Sequence, residues 1–282
     1  MKKVLIFGAG GFGREILSQI KDSCNVIGFL DNDLTRIGEI VDGIEILGNS
    51  DITKDIEYDE IVLGTMAMSI IDQLIHAGVS REKISTEIIL VRINARLNFL
   101  RDYATCFSRD NLKNLCVAEG GVLRGEFAKE INKAFPDSQL FLFDTFEGFD
   151  ERDVDIETKK GFSKTFAGHF AITSEELVMS QMEYPDNVHI RKGWFPESIS
   201  EDDCFNKYIF VNLDFDLFAP TFEGLKYFYP KMVKKGVILI HDFYHLNYKA
   251  IPEAIKAYED EIGFELIKIP IGDNCSIAII KV

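Results

Sequence analysis

One pattern occurs twice in this chain of 282 residues, and it constrains the fold more than any other feature: a short apolar run, a glycine-rich turn and a helix-length segment. The first copy begins with the run at residues 4–7 and the second with the run at residues 115–118. Apolar runs of strand length then alternate with amphipathic segments over nearly the whole chain. This alternation predicts βα units and mostly parallel sheets, so the sequence indicates two α/β domains in tandem.

The two openings divide the chain into three parts. We predict a Rossmann-like domain over residues 1–91, a helical connector over residues 92–113 and a second Rossmann-like domain over residues 114–282. A length of 282 residues suits two hydrophobic cores better than one.

The end of the chain differs from the rest. A helical stripe of apolar residues over residues 248–261 stops at Gly263, and two strand-like runs follow at residues 264–269 and 275–281. The link between these runs is too short for a crossover, so the two strands should be antiparallel. A parallel sheet that finishes in an antiparallel hairpin resembles the sheet of class I methyltransferases.

Composition excludes several classes of function. A net charge of −15 repels phosphate backbones and argues against nucleic acid as the main partner. No apolar run approaches the ~18 residues that span a bilayer, and the run at the amino terminus is too short for a signal peptide. The five cysteines form no CxxC pair, which favours free thiols in a reducing cytoplasm.

The second glycine loop carries the first candidate site. Glu119 ends the preceding strand, and Gly121 and Gly125 would let the backbone approach a ligand closely. Asp144 ends the next apolar run, at the strand tip where such folds hold ribose hydroxyls. A helix N-cap is the alternative interpretation of Asp144.

Five segments together resemble one family. They are AEGGVLRGEFA (118–128), LFLFDTFEGFD (140–150), GWFPES (193–198), FVNLDFDLFAPTFEGLKYFYP (210–230) and GVILIHDF (236–243). In order and spacing they are similar to the macrocin O-methyltransferases, which methylate sugar hydroxyls, over about residues 104–282. The resemblance implies S-adenosylmethionine as methyl donor and a divalent cation, usually magnesium. It assigns to the donor site Glu119, Asp144 and Thr145, with Gly193 and Trp194 beside the adenine.

Acids at the tips of two later strands are candidates for the cation site. Carboxylates are the ligands of hard cations, and open α/β sheets bind ligands at the carboxyl ends of their strands. The resemblance implies that Asp214 and Asp242 hold the cation and that Asp216 is the general base. The family has an Asp-Asp pair where this chain has His241-Asp242. Because imidazole suits zinc or iron better than magnesium, His241 could orient a ligand, contact substrate or act as the base.

Two further features stay open at this stage. His169 and His245 are additional candidates, although a lone histidine near a site more often packs or forms a hydrogen bond. The polar stretch at residues 150–173 predicts either a lid over the ligands or a plain solvated loop.

The first glycine loop fits the dinucleotide fingerprint GxGxxG in its proper place after a strand, and Asp31 follows the second strand. Its candidate ligand residues, with Asp31, are Gly8, Gly10, Gly11, Phe12 and Gly13. This pattern makes NAD one hypothesis.

Three segments over about residues 1–90, KVLIFGAGGFGREIL, VIGFLDND and GIEILGNSD, resemble a different protein family. They are similar to the amino-terminal domain of bacterial sialic-acid and bacillosamine-type sugar O-acetyltransferases. That resemblance implies a nucleotide-sugar ligand, which we favour over NAD. A degenerate domain that binds nothing and mediates homo-oligomerisation is the third possibility.

The sequence therefore predicts a cytoplasmic enzyme of surface-polysaccharide biosynthesis that methylates an oxygen of a nucleotide-linked sugar. One alternative is an NAD(P)-dependent oxidoreductase that uses the first glycine loop, although residues 60–95 offer only His76 as a catalytic group. The other is a non-catalytic nucleotide-sugar-binding protein. The acids at positions 119, 144, 214, 216 and 242 argue against this second alternative. The acceptor sugar, its hydroxyl, the cation and the oligomeric state stay open.

Overall fold

The computed structural model describes residues 1–65, 67–107, 112, 114–244 and 249–282. The chain forms two compact units, Met1–Ile93 and Asn94–Val282. The division falls inside one long helix, and residues 108–111 and 113 of the predicted connector lie outside the described residues. The proposed domain limits therefore remain predictions. No helix among the described residues is long and apolar enough to cross a bilayer.

The first unit is a six-stranded sheet in the order β3-β4-β2-β1-β5-β6. Its strands are parallel except for the short β3, which runs antiparallel to β4. The strands are β1 (Lys3–Phe7), β2 (Asn25–Leu30), β3 (Ile40–Val41), β4 (Ile44–Gly48), β5 (Glu60–Leu63) and β6 (Ile84–Ser85), and the helices are α1 (Gly11–Ile20), α2 (Ser69–His76) and the long α3 (Glu87–Thr105), which continues into the second unit.

The second unit is a seven-stranded sheet in the order β12-β13-β11-β10-β7-β8-β9. The strands are β7 (Cys116–Gly120), β8 (Gln139–Asp144), β9 (Val188–Lys192), β10 (Tyr208–Leu213), β11 (Met232–Ile240), β12 (Ile267–Pro270) and β13 (Ile277–Ile280), and the helices are α4 (Ala128–Ala134), α5 (Glu151–Lys160), α6 (Glu175–Met179), α7 (Phe218–Phe228) and α8 (Ala250–Ile262). Strands β7 to β11 pair in parallel, and β13 is antiparallel to both β11 and β12. The predicted fold class, two Rossmann-like domains with a terminal hairpin, is confirmed.

The central strands β7, β8 and β10 of the second sheet are buried on both faces, which explains why they are nearly continuous apolar runs rather than alternating ones. All six residues of β10 are buried. One hydrophobic cluster packs Phe228 of α7 and Ile251 of α8 against one face, and another packs Ile131 of α4 and Leu100 of α3 against the other. The middle of each central strand is therefore filled by apolar side chains, and polar side chains occur near the strand ends.

Local signals account for two of the helix ends. Helix α8 buries the apolar residues of its predicted stripe and ends at Gly263, whose φ of 76° is left-handed, as the sequence predicts. The start predicted at residue 248 lies outside the described residues. Helix α5 begins after Asp150, whose carboxylate accepts a hydrogen bond from the Arg152 N–H at 2.9 Å.

Candidate active site

Three neighbouring strands of the second sheet end at one edge with polar side chains. Strand β10 lies between β7 and β11, with Asn212 paired to Glu119 and Leu213 paired to Ile240. Because parallel strands share their direction, the residues that follow them meet at the same edge. This register brings Glu119 and Asn212 together and places Asp214 close to the residues that follow β11.

A cluster of possible metal ligands occupies this edge. Asp214, Asp216, His241 and Asp242 each offer one ligand atom, and these atoms all lie within 4.8 Å of one another. His241 Nδ1 is 3.0 Å from Asp214 Oδ1 and 3.1 Å from Asp242 Oδ1. The same nitrogen is buried and forms no aligned hydrogen bond, so these two close approaches are electrostatic contacts. A nitrogen so placed between two carboxylates fits the ligand set of a divalent cation.

Two of these acids have unusual backbones. Asp216 has a φ of 63° and Asp242 a φ of 57°, both in the left-handed region. Non-glycine residues reach this region at a cost, and such strained residues gather at functional sites. Aspartate tolerates the conformation better than most residues do.

The buried Glu119 lies beside the cation cluster. Asn212 Nδ2 donates a hydrogen bond to Glu119 Oε1 at 2.8 Å, which holds the carboxylate in place. The other oxygen, Oε2, is buried and has no hydrogen-bond partner. A buried acceptor without a donor is costly, so this oxygen fits a ligand that donates a hydrogen bond.

Asp144 accepts hydrogen bonds from the backbone of the second glycine loop. One of its oxygens, Oδ2, accepts hydrogen bonds from the backbone N–H groups of Val122 at 2.7 Å and Leu123 at 3.0 Å, and Oδ1 accepts one from Phe146 at 2.8 Å. The alternative interpretation of Asp144 as a helix N-cap is wrong, because the next helix begins only at residue 151 and Asp150 caps it.

The loop comes very close to β10. Gly121 has a φ of 78°, and a Cβ there would lie 2.1 Å from the carbonyl oxygen of Asp214. Gly125 has a φ of 83°, and a Cβ there would lie 3.2 Å from Val178. Both predicted glycines are therefore required by backbone conformation, and Gly121 is required by space as well.

The segment after β9 joins the same region. Gly193 donates its N–H to the carbonyl oxygen of Asp144 at 2.9 Å. The next residue, Trp194, donates its indole N–H to Asp153 Oδ2 at 2.9 Å, and the Arg152 guanidinium lies 3.9 Å from the centre of the indole ring. Burial raises the pKa of Asp153 to about 6.

Arg96 is one residue that the sequence interpretation missed. It comes from α3, and its Nη2 donates hydrogen bonds to Asp214 Oδ2 at 2.8 Å and to Asn212 Oδ1 at 3.0 Å. Its guanidinium lies 4.1 Å from the ring centre of Phe127. An arginine on an otherwise apolar and neutral stretch of helix is a weak signal, and only the position of α3 over the sheet edge gives it meaning.

Comparison with known proteins then identifies the fold and the chemistry. Residues 92–274 match the family described as macrocin-O-methyltransferase (TylF), which is well over half of the chain. The chain belongs to this family. It is therefore an S-adenosylmethionine-dependent O-methyltransferase, and the resemblance read from the sequence is confirmed.

Individual relatives agree with the family match. The chain is 26% identical over 188 residues to mycinamicin III 3''-O-methyltransferase of Micromonospora griseorubida, which covers 62% of this chain and 72% of that protein. Two solved structures share the fold. The O-methyltransferase NovP has a TM-score of 0.52 at 20% identity and covers 67% of this chain and 80% of its own. The calicheamicin methyltransferase CalS11 has a TM-score of 0.50 at 14% identity, and the match covers 76% of this chain and 84% of CalS11.

Residues 1–85 match a separate family described as C2185-like, N-terminal. The resemblance of this segment to the sugar O-acetyltransferases stays a prediction. In this unit, Asp31 Oδ2 accepts a hydrogen bond from Ala9 N–H at 2.9 Å, and its Oδ1 accepts one from Asp33 N–H at 3.0 Å. Arg36 Nη1 lies 3.6 Å from Asp31 Oδ2. The carboxylate of Asp31 therefore stabilises both the glycine loop and the turn that follows β2.

The remaining glycines of the first loop differ in their surroundings. Gly8 has a φ of 107°, and a Cβ on Gly13 would lie 1.8 Å from the carbonyl oxygen of Gly8. A Cβ on Gly10 would meet nothing within 4 Å. Gly11 and Phe12 begin helix α1. The left-handed backbone thus explains Gly8, and tight packing explains Gly13. Packing does not explain Gly10, which is open to contact with a ligand.

The charges of the methyltransferase site shift its pKa values in opposite directions. Burial raises the pKa of Glu119 well above its usual range, and burial together with Asp242 and Asp214 does the same for Asp216. Burial would also raise the pKa of Asp214, but His241 and Arg96 outweigh it and hold that pKa low. Burial would lower the pKa of His241, but Asp214 and Asp242 outweigh it and the pKa is well above the usual range.

The other two candidate histidines are His169 and His245. His169 stacks on Phe170 with ring centres 4.1 Å apart and on Phe166 at 4.9 Å, which is a packing role. His245 lies outside the described residues.

Proposed function

We propose that this methyltransferase moves the methyl group of S-adenosylmethionine to a sugar hydroxyl with the help of a divalent cation, which we take as magnesium or a similar ion. The acceptor is a nucleotide-linked sugar of surface-polysaccharide biosynthesis, and the enzyme acts in the cytoplasm. The observation that carries the proposal is the cluster of Asp214, Asp216, His241 and Asp242 beside the buried Glu119.

The donor site is assigned to the residues around the second glycine loop. The unpaired Glu119 Oε2 is suited to accept a hydrogen bond from the donor. Asp144 and Thr145 follow β8 at the tip where ribose hydroxyls bind in such folds. Trp194 offers an aromatic face, which suits an adenine ring, although Arg152 lies against that indole ring in the structure.

The cation and acceptor site is assigned to the acids that follow β10 and β11. When bound, S-adenosylmethionine supplies an electrophilic methyl group, and the cation lowers the pKa of the acceptor hydroxyl. Asp214 and Asp242 would hold the cation, and Arg96 fixes the carboxylate of Asp214 through a hydrogen bond of 2.8 Å. Asp216 accepts the hydroxyl proton on its carboxylate. Its raised pKa favours proton acceptance during the transfer.

His241 is the other candidate for the base. Its Nδ1 lies between two carboxylates, 3.0 and 3.1 Å away, a place better suited to a cation ligand than to a proton acceptor open to substrate. We therefore assign the proton transfer to Asp216.

The choice of a sugar as acceptor rests on relatives. The matching family is named for macrocin, and the mycinamicin enzyme acts on mycinamicin III. The first unit adds a separate argument. Its glycine loop, Asp31 and the neighbouring Arg36 form a platform that suits the phosphates and ribose of a nucleotide sugar. Self-association through this unit is a further proposal.

Mass spectrometry and calorimetry test the proposal. The purified protein should carry S-adenosylmethionine or its demethylated product, and calorimetric titration should show donor binding that Asp144→Ala weakens. A panel of nucleotide sugars should then yield a product heavier by one methylene, and a chelator should abolish its formation. Unchanged donor affinity in Asp144→Ala would remove the donor assignment. Product formation that survives the chelator would remove the cation from the mechanism.

Thermal shift with nucleotide sugars and with NAD tests the first unit. Stabilisation by a nucleotide sugar that Asp31→Ala abolishes supports the platform. Stabilisation by NAD alone would contradict it.

A further inference from the structure

Cys275 lies against the cation cluster although no motif singles it out. Strands β11 and β13 are antiparallel, with Ile240 paired to Ile277. The chain that leaves β11 with His241 and Asp242 therefore runs opposite the chain that enters β13 from Cys275. The thiol is fully buried at this place.

The backbone of Cys275 is held on both sides. Its N–H donates to Asp273 Oδ1 at 2.9 Å, and its carbonyl oxygen accepts a hydrogen bond from Tyr244 N–H at 3.1 Å. The buried Asp273 also accepts from the N–H of Ser276 at 2.7 Å and from its hydroxyl at 2.6 Å. These bonds fix the thiol with respect to the residues that follow β11.

The thiol bridges a histidine and an acid of the cluster. Cys275 Sγ donates to Asp242 Oδ1 at 3.3 Å and lies 3.4 Å from His241 Nε2. Since its hydrogen is used on Asp242, the sulfur can only accept from the imidazole, which places the ring hydrogen on Nε2. In the neutral ring that binds a cation, the lone pair is then on Nδ1, the nitrogen that lies between the carboxylates of Asp214 and Asp242 without an aligned hydrogen bond.

We propose that Cys275 positions His241 as a nitrogen ligand of the cation, and that the site consequently selects zinc or a similar borderline divalent cation over magnesium. This inference rests on the cation site of the proposed function and revises the identity of its cation, because magnesium is implied by the family resemblance and His241 departs from the family pattern. A histidine that binds a metal commonly gives its second ring hydrogen to a fixed acceptor, which sets the tautomer and the ring orientation. Magnesium prefers oxygen ligands, whereas imidazole nitrogen favours zinc, iron and cobalt.

Calorimetric titration of the chelator-stripped full chain with zinc and with magnesium tests this. Zinc should bind the wild-type protein at least about 100-fold more tightly than magnesium does. Cys275→Ala should weaken zinc binding about 10- to 100-fold, and Cys275→Ser should restore most of it, because a hydroxyl can also donate and accept. The visible spectrum of bound cobalt(II) should change in Cys275→Ala and not in Cys275→Ser.

His241→Asp is an independent variant that recreates the Asp-Asp pair of the family, and it should shift the preference towards magnesium. Equal zinc affinity and an unchanged cobalt spectrum in Cys275→Ala would overturn the role of the thiol. Equal binding of magnesium and zinc by the wild type, with donor binding and methyl transfer intact, would overturn the selectivity and leave the proposed function standing. Methyl transfer without any bound cation would refute the cation step of the proposed function as well.

Discussion

The two glycine loops of this chain share one construction and differ in what surrounds it. In both, an acid at the tip of the second strand accepts hydrogen bonds from the backbone of the loop. Asp31 binds Ala9 at 2.9 Å in the first unit, and Asp144 binds Val122 and Leu123 at 2.7 and 3.0 Å in the second. The loop–acid arrangement is therefore a structural element that does not by itself indicate an activity.

The two units differ in the residues at the ends of the neighbouring strands. In the first unit, β1 and β5 end in the buried apolar residues Phe7 and Leu63. In the second unit, the ends of β7 and β10 carry the buried Glu119 and Asn212, with Asp214 directly after them. Open α/β sheets bind ligands at these strand ends, so we assign the methyl transfer to the second unit, which is also the part that matches the methyltransferase family.

An exposed acid of the first unit and three buried acids of the second unit have pKa values that are shifted in opposite directions. The exposed Asp42 of the first unit is bonded to Arg14, which lowers its pKa. Burial raises the pKa of Glu119, Asp153 and Asp216 in the second unit. Asp153→Asn and Asp42→Asn test this contrast.

The largest effect is expected at Asp216. Asp216→Asn removes the proposed proton acceptor and keeps the shape of the side chain, so kcat should fall about 10²- to 10⁴-fold. Donor affinity by calorimetry should stay within about twofold, because Asp216 is assigned to the acceptor side. A kcat within tenfold of wild type would transfer the role of the base to another group.

A pH-dependent effect is expected at Asp153. Its pKa rises from 3.8 to about 6 in the folded protein, so the folded state binds the proton more tightly than the unfolded state does. The stability contributed by the protonated acid is complete below pH 3.8 and is lost as the pH rises through 6. Asp153→Asn should therefore gain up to about 3 kcal/mol relative to wild type between those pH values, as measured by denaturant unfolding.

Asp42→Asn is the matched control in the first unit. The pKa of Asp42 is lowered, so its contribution is present at neutral pH and is lost as the pH falls. The stability difference between this variant and wild type should thus change with pH in the opposite sense. The same sense in both variants would contradict the contrast between the units.

The affinity for S-adenosylmethionine should depend on Asp144 and not on Asp31. Asp144→Ala removes three backbone hydrogen bonds from the region of the second loop and should weaken S-adenosylmethionine binding about 10- to 100-fold. Asp31→Ala makes a similar change in the first loop and should leave this affinity unchanged. Calorimetry of the two variants side by side measures the difference. A loss in Asp31→Ala would mean that the first unit contributes to donor binding.

The smallest effect concerns packing of the first loop. Gly13→Ala should destabilise the first unit by about 2 kcal/mol, because its Cβ would lie 1.8 Å from the carbonyl oxygen of Gly8. Gly10→Ala meets nothing within 4 Å and should be nearly neutral in thermal unfolding. If Gly10→Ala nevertheless abolishes the thermal shift by a nucleotide sugar, Gly10 serves the ligand rather than the fold.

Sequence patterns predicted the sheets, the terminal hairpin and the acids at the strand tips, because each depends on local periodicity or on the common direction of parallel strands. The tips of β10 and β11 had to meet once the strands were assigned, and Asp214 and Asp242 do lie in one cluster.

Residues that act through long-range packing could not be predicted in this way. Arg96 reaches Asp214 from a helix more than 100 positions earlier, and its partner depends on where that helix crosses the sheet. Cys275 gains its contacts only from the antiparallel register of the last strand. The polar stretch at residues 150–173 predicts a lid or a loop, and its first part, residues 151–160, forms α5 instead. In this helix the buried Asp153 and Glu157 accept hydrogen bonds from the indole N–H of Trp194 and from the backbone N–H of Phe218.

Gly121 has a wider consequence. Its Cα faces the Asp214 carbonyl so closely that no methyl group fits between them. The loop and the backbone of Asp214 are therefore in direct contact, and a side chain at position 121 would have to displace one of them. With the donor and cation sites as proposed, a substitution that shifts this loop to admit a bulkier donor would also shift Asp214, so the two proposed sites have to be redesigned together.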